Sequence, residues 1–305
     1  MGNSKTLSII VITMNRKDQL IEALRSCLEC ELPSDTEFVV IDNASVDGTD
    51  EAVKSFFVNS SYSFTYKRLP ENKGVGGGRN EGFELAEGKY TYFLDDDAII
   101  DENCKTTFFP DCLKLLNDNP AIATLTTRIW DEILQDSRSV IISREGKISG
   151  CDSIFMFLGG SHFLRKAAFA HPLYLPNFIY GFEELYPSLL AFDKGLSNVY
   201  FPSAVVIHQP KIDKYDEKSS HYKGIIAMSN AGILAAKSVL YPGIFKPLLF
   251  AAFLARWYMH LRNHPGGLKD SYSSYVQRTR NVKIQKIKFT TVMRIFREFG
   301  FRAGV

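Results

Sequence analysis

The chain has 305 residues, 45% of them apolar and 23% charged, with a net charge of +2. That is length for one large domain or two small ones, with the composition of a soluble globular protein and no polyelectrolyte signal of a nucleic-acid partner. Five cysteines, an odd number with no secretory leader, point to a reducing, cytoplasmic compartment, and no apolar run is long enough to cross a bilayer.

The first six residues match a myristoylation pattern, but a strand follows at Leu7 with almost no spacer, so the match is read as chance. Residues 7–13, LSIIVIT, form a β-branched run typical of a strand buried on both faces. It ends at Thr13, and Asn15 is placed to cap a helix over 16–30 with Ile21, Leu24 and Leu28 on one face. Cys27 and Cys30 fall late in that helix, a poor setting for a redox or zinc site, and read as packing residues. A second strand, 37–41, runs into Asp42, and the turn-rich 42–49 leads to a helix over 49–58. The calcium-loop spacing of acids and glycine is not met there. After a third strand, 63–69, comes NKGVGGGRN at 72–80 and a helix to about 87. Its glycines either admit an anion close to the backbone of a helix start or mark a flexible turn. A dinucleotide fingerprint is a poor fit, because the pattern breaks at Arg79 and follows the third strand.

The fourth strand, 90–94, runs straight into Asp95, Asp96 and Asp97. Three adjacent acids repel one another, and a hard divalent cation with oxygen ligands is the natural compensation. Asp95 and Asp97 point the same way from extended backbone and Asp96 another. The alternative is an acidic turn that caps a helix. Strand–helix alternation predicts an open, mainly parallel α/β sheet, in which ligands bind at the carboxyl ends of strands. Thr13, Asp42 and Asp95 all sit at such ends. Downstream, the pattern predicts a helix over 102–116 and a strand over 122–127. The stretch 128–152 has no clear period and reads as an insertion or mobile loop. Gly159-Gly160-Ser161 precedes a short helix through 169, and the acid pair Glu183–Glu184 lies within 177–195. A strand over 199–207, edge or bulged because it contains Pro202, leads to His208.

In this order the segments resemble the family 2 glycosyltransferases, inverting enzymes of the GT-A fold. The motifs that carry the resemblance are Thr13-Met14-Asn15-Arg16, the 42–49 turn, 72–82, and Asp95-Asp96-Asp97 standing for DxD. Gly159-Gly160-Ser161, Glu183–Glu184 and His208 complete it, over about residues 5 to 210. The resemblance implies a nucleotide-sugar donor held by Thr13, Asn15, Asp42, Arg79, Asp95 and Asp96. It implies Mg²⁺ or Mn²⁺ on Asp95, Asp97 and His208, and Gly160, Ser161 and Glu183 on the acceptor side. The step from the pair to Gly195 places Glu184 at the base position, with Glu for the usual Asp; the acid and Arg that usually follow are Tyr186 and Leu190. UDP is the expected nucleotide, with Asp42 accepting from a pyrimidine imide, and dTDP presents the same edge. A saccharide or lipid-linked saccharide of a surface polysaccharide is the expected acceptor. A nucleotidyltransferase is the competing enzyme, with Arg16 and Lys17 its only basic candidates near the first strand; an inactive sugar-nucleotide-binding protein is the other alternative.

The organisation expected is a catalytic domain over 1–215, its donor half about 1–100 and its acceptor half about 101–215, followed by a helical region over 216–305. From Arg256 to Val305 there are eleven Lys/Arg against Asp270 and Glu298, so the rest of the chain is about seven net negative by difference from +2. Leu248, Leu249, Phe253, Trp257 and Leu261 lie near one helical face, with Lys246 and Arg256 off it and a break at Tyr241-Pro242-Gly243. Val292, Ile295, Phe296 and Phe299 make a second stripe among basic residues. Such helices predict a peripheral site on an anionic membrane, at the inner face of the cell membrane; packing on the chain's own domain or on a second subunit of a homodimer is the alternative.

Overall fold

A computed structural model describes residues 5–175, 181–210, 220–263 and 267–305. The initial match to a myristoylation pattern, 177–180 of the acid-pair segment, and the domain boundary at 215/216 all fall outside these, in whole or in part.

The chain begins β1 (Leu7–Thr13), α1 (Lys17–Leu28), β2 (Glu37–Asp42), α2 (Thr49–Phe57), β3 (Ser63–Arg68), α3 (Gly74–Leu85), β4 (Tyr90–Asp95) and β5 (Ala98–Ile100). It continues with α4 (Phe108–Asp118), β6 (Ile122–Asp131), β7 (Asp136–Ser137), β8 (Ile141–Glu145), β9 (Asp152–Met156) and β10 (Ser161–Arg165). Last come α5 (Leu185–Asp193), β11 (Ser197–His208), α6 (Ser220–Leu240), α7 (Lys246–Leu261), α8 (Gly267–Thr279), α9 (Phe289–Phe299) and α10 (Phe301–Gly304). One mixed sheet runs β3-β2-β1-β4-β10-β6-β11-β9-β8, with β5 on β11 and β7 on β6. From β3 to β11 six of the seven strands point the same way, β10 being the exception. The expected mainly parallel α/β architecture is therefore present, and the carboxyl ends of β1, β2, β4, β6 and β11 share one edge.

Local chemistry explains where the elements differ from expectation. Asn15 does not cap α1: it sits at φ 54, and Arg16 occupies the cap position without a side-chain bond. Asn15 instead ties two loops together, its N–H donating to Ser45 Oγ at 2.9 Å and its Oδ1 accepting from Val46 N at 2.8 Å. Asp47 takes over the helix start, accepting from Lys17 N at 3.0 Å. The buried face of α1 is Leu20, Ala23, Leu24 and Cys27, rotated from the stripe expected. All five cysteines are buried free thiols, and burial pushes Cys27 and Cys112 well up, which makes them unreactive packing residues. The glycines of α3 serve packing: a Cβ at Gly78 would lie 2.7 Å from Ile12 Cγ2, so the helix lies directly on β1.

The stretch 128–152 is no loop. β6 extends through Asp131, and β7 and β8 add to the sheet. Residues 102–116 divide into a short 3₁₀ turn and α4, and the helix expected through 169 is a 3₁₀ turn over Lys166–Ala168. β11 is interior, and its Pro202 falls in a bulge between Phe201 and Val205.

Two apolar layers cover the sheet, one under α1, α2 and α4 and one under α3 and the 168–175 segment. A third core joins β9 and α5 to the C-terminal helices. Val292, Ile295 and Phe299 are buried in it, Phe299 lying 5.4 Å from Phe192 and 6.0 Å from Phe155. Side chains of this size contribute about 1.5–3 kcal/mol each when fully buried. Arg294 donates to Phe192 O at 2.8 Å and Thr291 to Asp193 Oδ1 at 2.7 Å, which fastens α9 to the end of α5. The second stripe is thus an internal contact, which corrects the expectation that it faces a membrane.

Candidate active site

Strand register assembles the site. Ile12 pairs with Asp95 and Thr13 with Asp42, so β1, β2 and β4 end together. On the far side of β10, His208 at the end of β11 pairs with Asp131 at the end of β6 and with Ala98, next to Asp97, on β5. Asp95, Asp97 and His208 converge, each offering a ligand atom within 4.8 Å of the others.

The donor set fits a divalent cation. Asp97 and His208 are buried, Asp95 is half-open, and two carboxylate oxygens plus one imidazole suit Mn²⁺ or Mg²⁺. Asp131 accepts from Ile133 N and Leu134 N at 3.1 and 3.2 Å, and its Oδ2 lies 3.0 Å from His208 Nδ1. With Nδ1–H donated to Asp131, Nε2 turns a lone pair toward Asp97 Oδ1 at 3.2 Å; Arg16 and Arg138 supply positive charge beside this pair, which a metal ion held by the same atoms would share. Arg138 Nη2 lies 3.0 and 3.1 Å from the two ring nitrogens, and its Nε pairs with Asp131 at 3.2 Å.

Asp96 belongs to a different network. Thr13 Oγ1 donates to it at 2.7 Å, and Arg16 Nη1 bridges it to Asp97 at 2.9 and 2.8 Å. Burial raises Asp96 to about 6, against the opposing pull of Arg16. Arg16 is committed to these carboxylates, which removes one of the two cations expected to hold a triphosphate.

Arg79 is the centre of the other half. Buried on α3, it donates to Asp95 Oδ1 at 3.1 Å and Gly159 O at 2.8 Å, and lies 3.4 and 3.5 Å from Glu184 and Glu183. His162, fully buried, donates from Nδ1 to the same Gly159 carbonyl at 2.9 Å, leaving Nε2 to accept from Tyr174 at 3.0 Å. Desolvation and Arg79 hold its pKa well below the usual range, so it is neutral. A Cβ at Gly159 would collide with the Glu184 carboxylate, so this glycine is what admits Glu184 beside Arg79. One guanidinium thus faces three carboxylates. Burial first and Glu183 second push Glu184 well above the ordinary range, with Arg79 opposing.

The turn before the pair is strained and clamped. Gly181 has φ 95 and Phe182 φ 61, the latter rare for a bulky residue. Arg278 of α8 donates to Gly181 O at 3.2 Å, and Gly232 of α6 packs on that carbonyl so closely that a Cβ would collide with it. The C-terminal helices therefore form part of the site's support.

Ser161 departs from expectation, and Gly160 and Asp42 have protein partners of their own. Ser161 is fully buried, its hydroxyl bonded to Thr127 at 2.6 Å and Tyr92 at 2.8 Å, so it supports the sheet and faces no acceptor. Gly160 borders Asp95, whose N–H donates to its carbonyl at 3.0 Å. Asp42 is buried and accepts one bond on each oxygen, from Ser45 N at 2.7 Å and the Tyr66 hydroxyl at 2.5 Å, which fixes the carboxylate and leaves each oxygen a further lone pair. Asp131 and Arg138 are not marked by the sequence reading, and Gly159 enters it only as part of a motif. Asp131 does follow the rule that marked Asp42 and Asp95, a strand running into an acid, but Arg128 made β6 look shorter.

The profile of glycosyl transferase family 2 matches residues 8–171, more than half of the chain. The chain belongs to this family. It is 33% identical over 92 residues to the uncharacterized glycosyltransferase YfnE of Bacillus subtilis, 30% of this chain and 23% of that protein. It is 28% identical over 120 residues to the poly-β-1,6-N-acetyl-D-glucosamine synthase of Staphylococcus epidermidis, 39% of this chain and 27% of that protein. The chain thus spans about a quarter of the length of these relatives. A mannosyltransferase from Pyrobaculum calidifontis, solved with GDP-Man and Mn²⁺, superposes with a TM-score of 0.59 at 19% identity, covering 93% of this chain and 77% of that one. That likeness is one of fold, and the fold is the GT-A glycosyltransferase fold.

Proposed function

We propose that this family 2 member transfers a sugar, with inversion, from a nucleotide-sugar donor to a hydroxyl of a glycan or lipid-linked saccharide in bacterial surface polysaccharide synthesis. The observation that carries this reading is the convergence of Asp95, Asp97 and His208 at the strand edge, joined through Arg79 to Glu184. A divalent cation held there supplies Lewis-acid neutralisation of the leaving diphosphate. Glu184 takes the acceptor hydroxyl's proton as its oxygen attacks the anomeric carbon. Arg79 and the Gly159 carbonyl hold Asp95 and Glu184 in fixed relation, with Glu183 beside them. Thr13, Asn15 and Asp96 border the donor side, and Gly160 the acceptor side. Asp42, fixed by Ser45 and Tyr66, keeps acceptor capacity for a pyrimidine imide, so UDP is the nucleotide proposed and dTDP presents the same edge. No helix among the described residues is long and apolar enough to cross a membrane, and a peripheral position at the inner face of the cell membrane suits a lipid-linked acceptor.

Incubation with a panel of nucleotide sugars tests the reading through the product released. A nucleoside diphosphate supports it; pyrophosphate indicates nucleotidyl transfer, and binding without turnover an inactive homologue.

Two further results are expected. The acid limb of the kcat/KM–pH profile should lie well above the roughly 4.3 of an unperturbed glutamate, since the base must be ionised and its folded pKa is raised. Activity should therefore be lost as pH falls through that raised value; a limb at the ordinary carboxylate position would remove Glu184 from the role. Gly232→Ala should displace the Gly181 carbonyl and lower kcat by on the order of tenfold to a hundredfold with little change in donor KM, read by steady-state kinetics alongside thermal melting. An unchanged kcat would mean that the turn is positioned independently of α6.

A further inference from the structure

We infer that the outward face of α7 and α8 is a docking surface for an anionic lipid bilayer. On α7, Ala251, Leu254, Ala255, Tyr258 and Met259 are all exposed, and their spacing places them on one helical face, continued by Arg262. On α8, Leu268, Tyr272 and Val276 recur four apart. The six large residues of this surface are 37% to 63% exposed, whereas Leu249, Phe253 and Leu261 of α7 are used internally. Between the two helices lies an apolar cavity of about 600 Å³ lined by Phe250, Leu254, Trp257, Leu268 and Tyr272, with Lys269 at its side. The buried Trp257 indole N–H in that lining has no acceptor among the described residues.

Charge decides between occupants. From Lys246 to Val276 the chain has one acid, Asp270, against Lys246, Arg256, Arg262 and Lys269. Arg256 is spent internally, on Asn230 Oδ1 at 2.9 Å, while Arg262, Lys246 and Lys269 are exposed. Arg262 also stacks over Tyr258 at 4.9 Å, an aromatic–cation pair suited to headgroup depth. Pairing this face with a second copy about a two-fold axis would set cation against cation, which costs affinity. An anionic surface instead meets the cations while the aromatic and aliphatic side chains enter the acyl boundary. The same helix α8 buries Arg278 against the turn that bears Glu183 and Glu184, so the docked face is one helix thickness from the base.

The test is sedimentation of the full chain with vesicles of phosphatidylcholine, with and without phosphatidylglycerol, at low and high salt. No donor or acceptor is present, so the outcome is independent of the transfer reading. Binding is expected only with phosphatidylglycerol, weakening as salt rises. Leu254→Ser with Tyr258→Ser should reduce it on the order of tenfold or more, because two large apolar groups leave the interface. Arg262→Glu with Lys269→Glu should abolish the preference for the anionic lipid, and Met293→Ser, exposed on α9 outside this face, should change nothing. Thermal melting and Mn²⁺ binding report whether each variant is folded. No binding by the parent chain, or full binding by the folded Leu254/Tyr258 variant, overturns the inference. A dimer that the same variant splits, with no vesicle binding, assigns the face to a second copy and overturns it too.

Discussion

Glu184→Gln is expected to lower kcat by about 10²–10⁴-fold while donor affinity stays near that of the parent chain, because general-base catalysis is worth a factor of that order. Glutamine keeps the size of the side chain that fits under Gly159 and lies 3.4 Å from Arg79, but it cannot take a proton. A fall in kcat with unchanged donor binding is the mark of a group that acts in the transition state. Glu183→Gln is the control. Glu183 is buried, 3.5 Å from Arg79, and its Oε2 has no partner among the described residues. Placing an amide there adds donors without adding acceptors, so its effect should appear in thermal stability first. Should the kinetic losses fall on Glu183→Gln, with Glu184→Gln active, the base is Glu183.

Asp97→Ala is expected to abolish both Mn²⁺ binding, measured by calorimetry or electron paramagnetic resonance, and turnover. It removes one of three convergent ligands and also releases Arg16, which it holds at 2.8 Å. His208→Ala should raise the metal concentration needed for activity. Asp131→Asn should weaken metal affinity about 10–100-fold without touching a ligand atom, since Asp131 holds His208 Nδ1 at 3.0 Å and orienting partners of this kind typically carry that much. Full activity of Asp97→Ala in excess chelator would exclude a metal-dependent reaction at this site.

Removal of 282–305 is expected to lower folding stability. Val292, Ile295 and Phe299 are core residues, and their loss would uncover Phe155 and Phe192. Helical spacing specifies that one face of α9 is apolar, but the same stripe suits a bilayer, a partner or the chain's own sheet. Only the position of β9 and α5 beneath α9 decides which surface buries it. The face left open lies instead on α7 and α8. There three members of the stripe read from sequence, Leu249, Phe253 and Leu261, turned inward, Leu248 and Trp257 are half-buried, and Leu254, Tyr258 and Met259 face out.

Much of the site is written in local pattern. Strands that end in Thr13, Asp42 and Asp95 are legible because a β-branched run followed by a polar residue is a one-dimensional signal, and parallel strands bring such ends to one edge. Asp95 and Asp97 do converge with His208 while Asp96 bonds Thr13, but Asp96 and Asp97 form the turn between β4 and β5, so it is that turn and not a strand period that separates them. Family 2 membership is legible from the order of the motifs, and its profile covers those from Thr13 to Ser161.

What tertiary structure decided is partnership. Asp131 and His208 are 77 residues apart, and only the β6–β11 register brings them to 3.0 Å. Arg79 read as a donor contact; burial beside Asp95, Glu183 and Glu184 makes it the shared counter-charge of both halves of the site. Ser161 carries a hydroxyl suited to a ligand, yet Thr127 and Tyr92 reach it first. Sequence determines which chemical groups stand at the ends of strands, because that is a property of neighbours along the chain. Which groups remain free to act depends on side chains that fold in from distant positions, and no local pattern specifies those.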